Sequence, residues 1–356
     1  MPSPDGAVDA RLRIALVSYY LPSGSKIGAG YAVHELAIAL TARGHDVTVF
    51  SDCPAVLGAP YAHQHVAMQG SLRTFRFANA IRRVDFDGFD VIHAAGGDYW
   101  LWRRRARAHV RTLFGSSFEE ARRIPGAKER LRMLAQGLTE VLATLVADRS
   151  TVISPATRRW TPWVKTVVPI GVDLHRFHPG GQRERHPSPA VLFVGTWHWR
   201  KRGALLAEAF VQSVLPVVPD AELWMVTRDV PQGVHPSIKA LGAVSDEELA
   251  ALYRRAHVFC LPSSYEGFGI PYLEALASGT PVVAADNIGA NFVLEGGRFG
   301  EVVADELIGP TIAALLGDEK RREALASEGL ARAAEFDLDH VAATYEAIYR
   351  EVLASR

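Results

Sequence analysis

Cysteine is scarce. The chain of 356 residues has two, Cys53 and Cys260. Two thiols cannot staple a disulfide scaffold. Both lie in or beside apolar, strand-like runs and read as reduced core thiols, which points to a cytoplasmic protein. No apolar run approaches the roughly 20 residues of a membrane-spanning helix. The polar stretch Met1 to Arg11 lacks a signal-peptide core. No His/Cys cluster has the spacing of a zinc site. The dinucleotide fingerprint G-x-G-x-x-G is missing as well. There is no internal repeat and no low-complexity tract.

Hydrophobic residues make up 48% and charged residues 22%, a soluble globular composition. The length suits about two domains. Net charge is zero, with 39 basic and 39 acidic residues. The balance is uneven, however. Residues 1–168 hold 22 Lys and Arg against 14 Asp and Glu, and residues 169–356 hold 17 against 25. Such a split suits different partners for the two halves.

The clearest unit runs from His257 to Ala285. His257-Val-Phe-Cys-Leu261 reads as a buried strand that Pro262 ends. Ser263 to Gly269 is a loop. A helix starts near Pro271, where proline is tolerated in the first turn, and Gly279 closes it. Pro281-Val-Val-Ala-Ala285 is the next strand. The loop falls beyond the carboxyl end of a strand, where open α/β sheets bind ligands. The helix N-terminus at Phe268, Gly269 and Ile270 offers free N–H groups and a positive dipole end to an anion. Glu266 and Glu274 flank it, and Glu274 is placed to accept hydrogen bonds from a diol.

The string E-G-F-G-x-x-x-x-E-A-x-A-x-G-x-P-V-V, from Glu266 to Val283, resembles the donor-site signature of retaining nucleotide-sugar glycosyltransferases of the GT-B fold. These are the group 1 glycosyl transferases, family four. Val167-Val-Pro-Ile-Gly-Val-Asp173 and Leu241-Gly-Ala-Val-Ser-Asp-Glu-Glu-Leu249 resemble two further family segments. The resemblance implies an α/β protein of two facing Rossmann-like domains with a deep cleft. An acceptor-binding domain would span residues 1–168, joined by a C-terminal helix at about 338–356. A donor-binding domain would span 169–337. The implied reaction is a metal-independent, retaining transfer of a sugar from a UDP- or GDP-sugar, without a cofactor.

On that resemblance Glu274 holds the ribose, and Glu266 holds sugar hydroxyls. Arg202, with Arg200 and Lys201 beside it, meets the diphosphate at the start of a helix. The backbone near Val244 takes the base. Gly28 and Gly30 stand where the family's glycine loop faces the phosphates. His93, at the end of the strand Phe89 to Ala95, faces the cleft and is a catalytic candidate. The chain departs from the pattern at Phe114, where many relatives carry His, at Ile170 in place of Asn, and at Thr196 in place of Arg. Two rival readings share the fold: a nucleotide-sugar epimerase or hydrolase, and a non-catalytic nucleotide-sugar binding protein.

Asp85-Phe-Asp87 spells a D-x-D but falls in a polar turn, so no metal is assigned to it. Arg73, Arg76, Arg82 and Arg83 precede one strand. Trp100, Trp102, Arg103, Arg104, Arg105 and Arg107 follow it. Aromatics beside arginines suit a surface that is part apolar and part anionic. They suggest a small-molecule, glycan or lipid-linked acceptor met in peripheral contact with the inner face of a membrane, and no nucleic acid.

Overall fold

The computed structural model describes residues 11–24, 27–68, 72–101, 108–122, 124, 126–180 and 184–356. The chain divides into two compact units, Met1–Gly171 with Leu338–Arg356, and Val172–Asp337.

The first unit runs β1 (Arg13–Val17), α1 (Gly28–Ala42), β2 (Asp46–Ser51), β3 (Ala62–His65), α2 (Arg73–Ile81), β4 (Val91–Ala94), β5 (Ala108–Leu113), α3 (Ser117–Ala121), α4 (Ala127–Val146), β6 (Arg149–Val152) and β7 (Thr166–Val167). The second runs β8 (Ala190–Val194), α5 (Gly203–Ala209), β9 (Glu222–Val226), β10 (Ile238–Ala240), α6 (Asp246–Arg255), β11 (Val258–Leu261), α7 (Ile270–Ala277), β12 (Val282–Ala285), α8 (Ile288–Val293), β13 (Glu301–Val303), α9 (Ile308–Gly317) and α10 (Glu319–Ala334). The last helix, α11 (Leu338–Ala354), belongs to the first unit.

Each unit holds one parallel sheet. The orders are β3-β2-β1-β4-β5-β6-β7 and β10-β9-β8-β11-β12-β13. β4, β5, β11 and β12 bury every residue. Helices cover both faces of a parallel sheet, so its central strands become continuous apolar runs. That is why 257–261 and 281–285 read as strands without any alternation.

Helix ends follow local chemistry. Ser245 and Glu248 form the reciprocal capping box that their spacing predicts: Ser245 N–H donates to Glu248 Oε2 at 2.9 Å, and Glu248 N–H to Ser245 Oγ at 3.2 Å. Gly279 adopts a left-handed φ of 66° just past α7, where a side chain would be strained.

α11 lays Val341, Tyr345, Ile348 and Val352 into the same core as Ile14, Leu16, Leu36 and Leu40. Its Glu346 takes Arg43 at 2.8 Å and Arg350 at 2.7 Å. Burial alone would raise the Glu346 pKa, but these guanidinium bonds prevail and hold it down at about 2. α4 is unlike the other long helices: Leu131, Leu138 and Leu145, seven residues apart, are all exposed.

Candidate functional site

In the second sheet the chain leaves β8 toward β9 and β10, then returns on the other side to β11, β12 and β13. At such a reversal the loops after neighbouring strands diverge and leave a crevice beyond their carboxyl ends. The two loops here are 195–202, between β8 and α5, and 262–269, between β11 and α7.

The loops are tied to each other. Ser264 N–H donates to Arg200 O at 2.8 Å, and Arg202 Nε to Pro262 O at 2.6 Å. Lys201 Nζ lies 2.8 Å from Glu266 Oε1, an ion contact whose direction falls short of a good hydrogen bond. Arg200 Nη1 lies 3.8 Å from Glu266 Oε2. Glu266 is only 5% exposed. A carboxylate this buried needs its cations, because an unpaired buried charge is costly.

The Glu266 loop is also supported from behind. Asn287 caps α8 by accepting from Ala290 N–H at 2.9 Å. Its amide donates to Ser263 O at 3.0 Å and to Tyr272 Oη at 3.1 Å. Gly289 N–H donates to Glu266 O at 3.0 Å. A Cβ at Gly289 would lie 2.7 Å from both Glu266 Cβ and Phe268 O. Asn287 and Gly289 lie outside the Glu266–Val283 string; the signal for them in the sequence is an Asn-x-Gly that begins two residues after a buried strand.

Phe268 is buried against Phe292 and Phe336. Gly269 has φ 98°, and a Cβ there would strike the Tyr272 ring at 2.4 Å. The turn therefore needs glycine to bring the backbone close to α7. α7 has no side-chain N-cap; Pro271 carries no N–H and Tyr272 N–H already bonds Gly269 O at 3.0 Å, so the N–H groups at Phe268, Gly269 and Ile270 are the ones left for another acceptor. Ile270 and Glu274, four residues apart, share one face of α7. Glu274 Oε2 accepts from Tyr253 Oη at 2.9 Å. Burial, with Glu274 close by, pushes the Tyr253 phenol well up, so Tyr253 remains a donor. Val244 is half-buried in the turn before α6, two residues after Gly242 at φ 70°.

Arg202 is engaged by the protein's own groups. It stands at a left-handed φ of 53°, and its guanidinium grips Asp305 with two bonds, 2.5 and 2.8 Å. With Pro262 O as a third partner it clamps the loop. Lys201 is the cation beside Glu266. Thr196 is exposed and donates to His198 O at 2.9 Å within the same loop.

His93 lies in the first unit. It is 4% exposed there. Nδ1 lies 2.6 Å from Tyr349 Oη, and Nε2 lies 2.8 Å from Thr112 Oγ1. Burial, with His109 nearby, drives its pKa down to about 3. Both ring nitrogens have partners inside the core, so in this structure His93 ties β4 to α11. Gly28 and Gly30 open α1 in the same unit. A Cβ on Gly30 would come within 3.0–3.1 Å of the Tyr20–Leu21 backbone.

The turn at Asp85 has an ordinary local explanation: Asp87 N–H donates to Asp85 Oδ1 at 3.0 Å. Of the basic and aromatic surface, Arg73 pairs with Asp52 at 2.6 Å, and Trp100 is exposed. Trp102, Arg103, Arg104, Arg105 and Arg107 lie outside the described residues.

Two family profiles match, "Glycosyltransferase Family 4" over residues 27–176 and "Glycosyl transferases group 1" over residues 188–318. The chain is 33% identical over 255 residues to an MMP alpha-(1->4)-mannosyltransferase of Mycolicibacterium hassiacum, across 65% of this chain and 59% of that relative. It is 27% identical to a phosphatidyl-myo-inositol mannosyltransferase of Mycobacterium leprae, across 97% and 98% of the two chains. Among solved structures, Anabaena HepE in complex with UDP and glucose superposes with a TM-score of 0.74 at 18% identity, covering 97% of this chain and 100% of that one. The two profiles fall one on each unit, and the two Rossmann-like sheets agree with them: the chain belongs to the group 1, family 4 glycosyltransferases of the GT-B fold.

Proposed function

We propose that this glycosyltransferase takes a sugar from a nucleotide diphosphate sugar, UDP- or GDP-linked, and transfers it with retention of anomeric configuration. The observation that carries the proposal is the pairing of Lys201 and Arg200 with buried Glu266, beside the uncapped N-terminus of α7. Support for the donor also comes from the neighbour solved with UDP and glucose. The relatives' names extend the reading to a glycan or lipid-linked acceptor, with mannose as the first sugar to try.

In the proposed reaction the bond from the anomeric carbon to the diphosphate oxygen breaks. A bond from the acceptor oxygen to the same face of that carbon forms. The acceptor proton passes to the leaving phosphate oxygen, so no protein base is required. Lys201, Arg200 and the N–H groups at Phe268–Ile270 stabilise the charge that builds on the leaving group. Those groups can supply the stabilisation, so the proposal invokes no metal and no cofactor. Glu266 holds sugar hydroxyls, and Glu274, set by Tyr253, holds the ribose diol. Val244 lines the base, and Gly28 and Gly30 keep the start of α1 small. Arg202 positions Lys201 by clamping the loop.

The test has two parts. Calorimetry with UDP- and GDP-sugars should show binding that Glu274→Ala weakens. NMR of the product should show the donor's anomeric configuration. Inverted product would refute retention. Free sugar or an epimer formed without an acceptor would favour the hydrolase or epimerase reading, and binding without turnover would favour the binding protein.

A cytoplasmic location with peripheral contact at an anionic membrane belongs to the same proposal. Its support is the basic balance of residues 1–168 and the exposed leucines of α4, whose first turn carries Lys128 and Arg130. Among the described residues no helix is long and apolar enough to cross a membrane. Sedimentation with anionic vesicles at low salt, and release at moderate salt, is the expected result. Protein that stays in the supernatant would remove the membrane contact and leave a soluble acceptor.

A further inference from the structure

The first sheet also reverses direction, between β1 and β4. A cavity of about 120 Å³ lies beyond those strand ends, wholly within the first unit. One water needs roughly 10–15 Å³, so the space suits a small ring rather than a few ordered waters. Its walls combine aromatic faces, Tyr19, Tyr20 and Tyr99, with the polar groups of Arg111, Gln136 and Glu140.

The charges in the wall are already matched. Arg111 is 5% exposed, and its Nη1 donates to Asp98, which is itself fully buried. His109 Nε2 lies 3.1 Å from the other oxygen of Asp98. Arg111 Nε has no partner, although it is buried. A buried donor without an acceptor is costly, and Arg111 is one of the residues that line the cavity. Glu140 is oriented by Ser117, whose N–H and Oγ donate to its two oxygens at 3.0 and 2.6 Å. Burial raises its pKa despite those bonds. The cavity wall therefore combines the Arg111 guanidinium, an acceptor at Glu140 and aromatic faces, with no uncompensated positive charge.

We propose that this cavity seats the acceptor and selects an uncharged polyhydroxylated ring, a sugar or cyclitol, over its phosphorylated counterpart. The ring's hydroxyls would meet the Arg111 guanidinium and Glu140, and its C–H faces would lie on the tyrosines. Asp98 is the specificity-determining residue, because it cancels the charge that would otherwise draw a phosphate. The proposal rests on the glycosyltransferase reading above, which supplies the need for an acceptor.

The experiment is saturation-transfer NMR on the full chain with bound nucleoside diphosphate. The probes are methyl glucoside, methyl mannoside, myo-inositol and the matching monophosphates. The neutral rings should bind in the millimolar range, and the phosphates at least about tenfold more weakly, since like charges across a contact are costly. Thr139→Trp, which fills the cavity, should abolish the ring signal while leaving nucleoside diphosphate binding intact. Asp98→Asn should uncover Arg111 and shift preference toward the phosphates. If Asp98→Asn does not fold, the wild-type comparison and Thr139→Trp still decide. Tighter binding of the phosphates by the wild type would overturn the proposal. So would a ring signal that survives Thr139→Trp, or no ring signal at all. Loss of nucleoside diphosphate binding by the wild type is a separate result and would count against the donor reading alone.

Discussion

β1 in the first sheet and β8 in the second hold the same topological place. Each is the strand from which the chain runs out to one edge and then returns on the other side. Beyond β8 lie Arg200, Lys201 and Glu266, with cations in excess and an uncapped helix N-terminus. Beyond β1 and β4 lie tyrosines and an arginine already neutralised by Asp98. One arrangement of strands thus carries an anion-attracting crevice in one unit and a neutral, ring-sized one in the other. Topology says where a ligand goes, and side-chain charge says which ligand.

The sharpest way to break this contrast is to remove the excess charge at the second crevice. Lys201→Met should lower kcat by about 10²–10³-fold, the usual loss for one group that stabilises transition-state charge. Arg202→Met should cost less in kcat and more in thermal stability, because it holds Asp305 and Pro262 O. Steady-state kinetics alongside melting curves separate the two, and the opposite ranking would restore Arg202 as the phosphate ligand.

Next in size is Glu274→Ala. Donor affinity should fall by about 1.5–3 kcal/mol, the range for hydrogen bonds to a charged group. Calorimetry showing unchanged affinity would take the ribose away from Glu274.

Gly289→Ala sharpens the comparison from behind the loop. Its methyl would press on the Phe268 carbonyl and on Glu266 Cβ. Overpacking of this kind costs about 1–3 kcal/mol in denaturant unfolding. Turnover should fall with it, since the Glu266 loop must move. Normal turnover in a destabilised variant would show that the loop's position is not critical.

The smallest effect concerns pH. His93 and His257 are held neutral by burial, with pKa values near 3 and 4. In the unfolded chain both would take up protons near pH 6.5. The unfolded state therefore binds more protons between about pH 6.5 and 4. The contribution of these residues is complete above 6.5 and is lost as pH falls through that window, by at most about 1.4 kcal/mol per pH unit for each. His93→Gln should flatten the slope of melting temperature against pH. An unchanged slope would mean that His93 takes up its proton at the same pH in the folded and unfolded states.

The second unit was the more legible of the two. A contiguous string from Glu266 to Val283 carries its loop, its helix start at Pro271 and its closing Gly279, and all three stand where the spacing puts them. β3 and α2 fall in the stretch 53–83, which shows no readable period. β3 is the edge strand Ala-His-Gln-His, mostly exposed, so burial imposes no apolar alternation on it. Lys201 and Arg202 are neighbours in sequence, and only the left-handed turn at Arg202 decides which of them reaches Glu266. His93 looked accessible because it ends a strand, but α11, more than 240 residues later, covers it with Tyr345 and Tyr349. The cavity in the first unit joins side chains from the loop after β1, from β5 and from α4, and no short motif brings those together.

The most direct test of the two-crevice account is one calorimetric titration of the preferred nucleotide sugar into three proteins: wild type, Lys201→Met and Thr139→Trp. The account predicts tight donor binding by the wild type and by Thr139→Trp, and marked weakening by Lys201→Met. Donor binding lost in Thr139→Trp but kept in Lys201→Met would place the nucleotide sugar at the other crevice and contradict it.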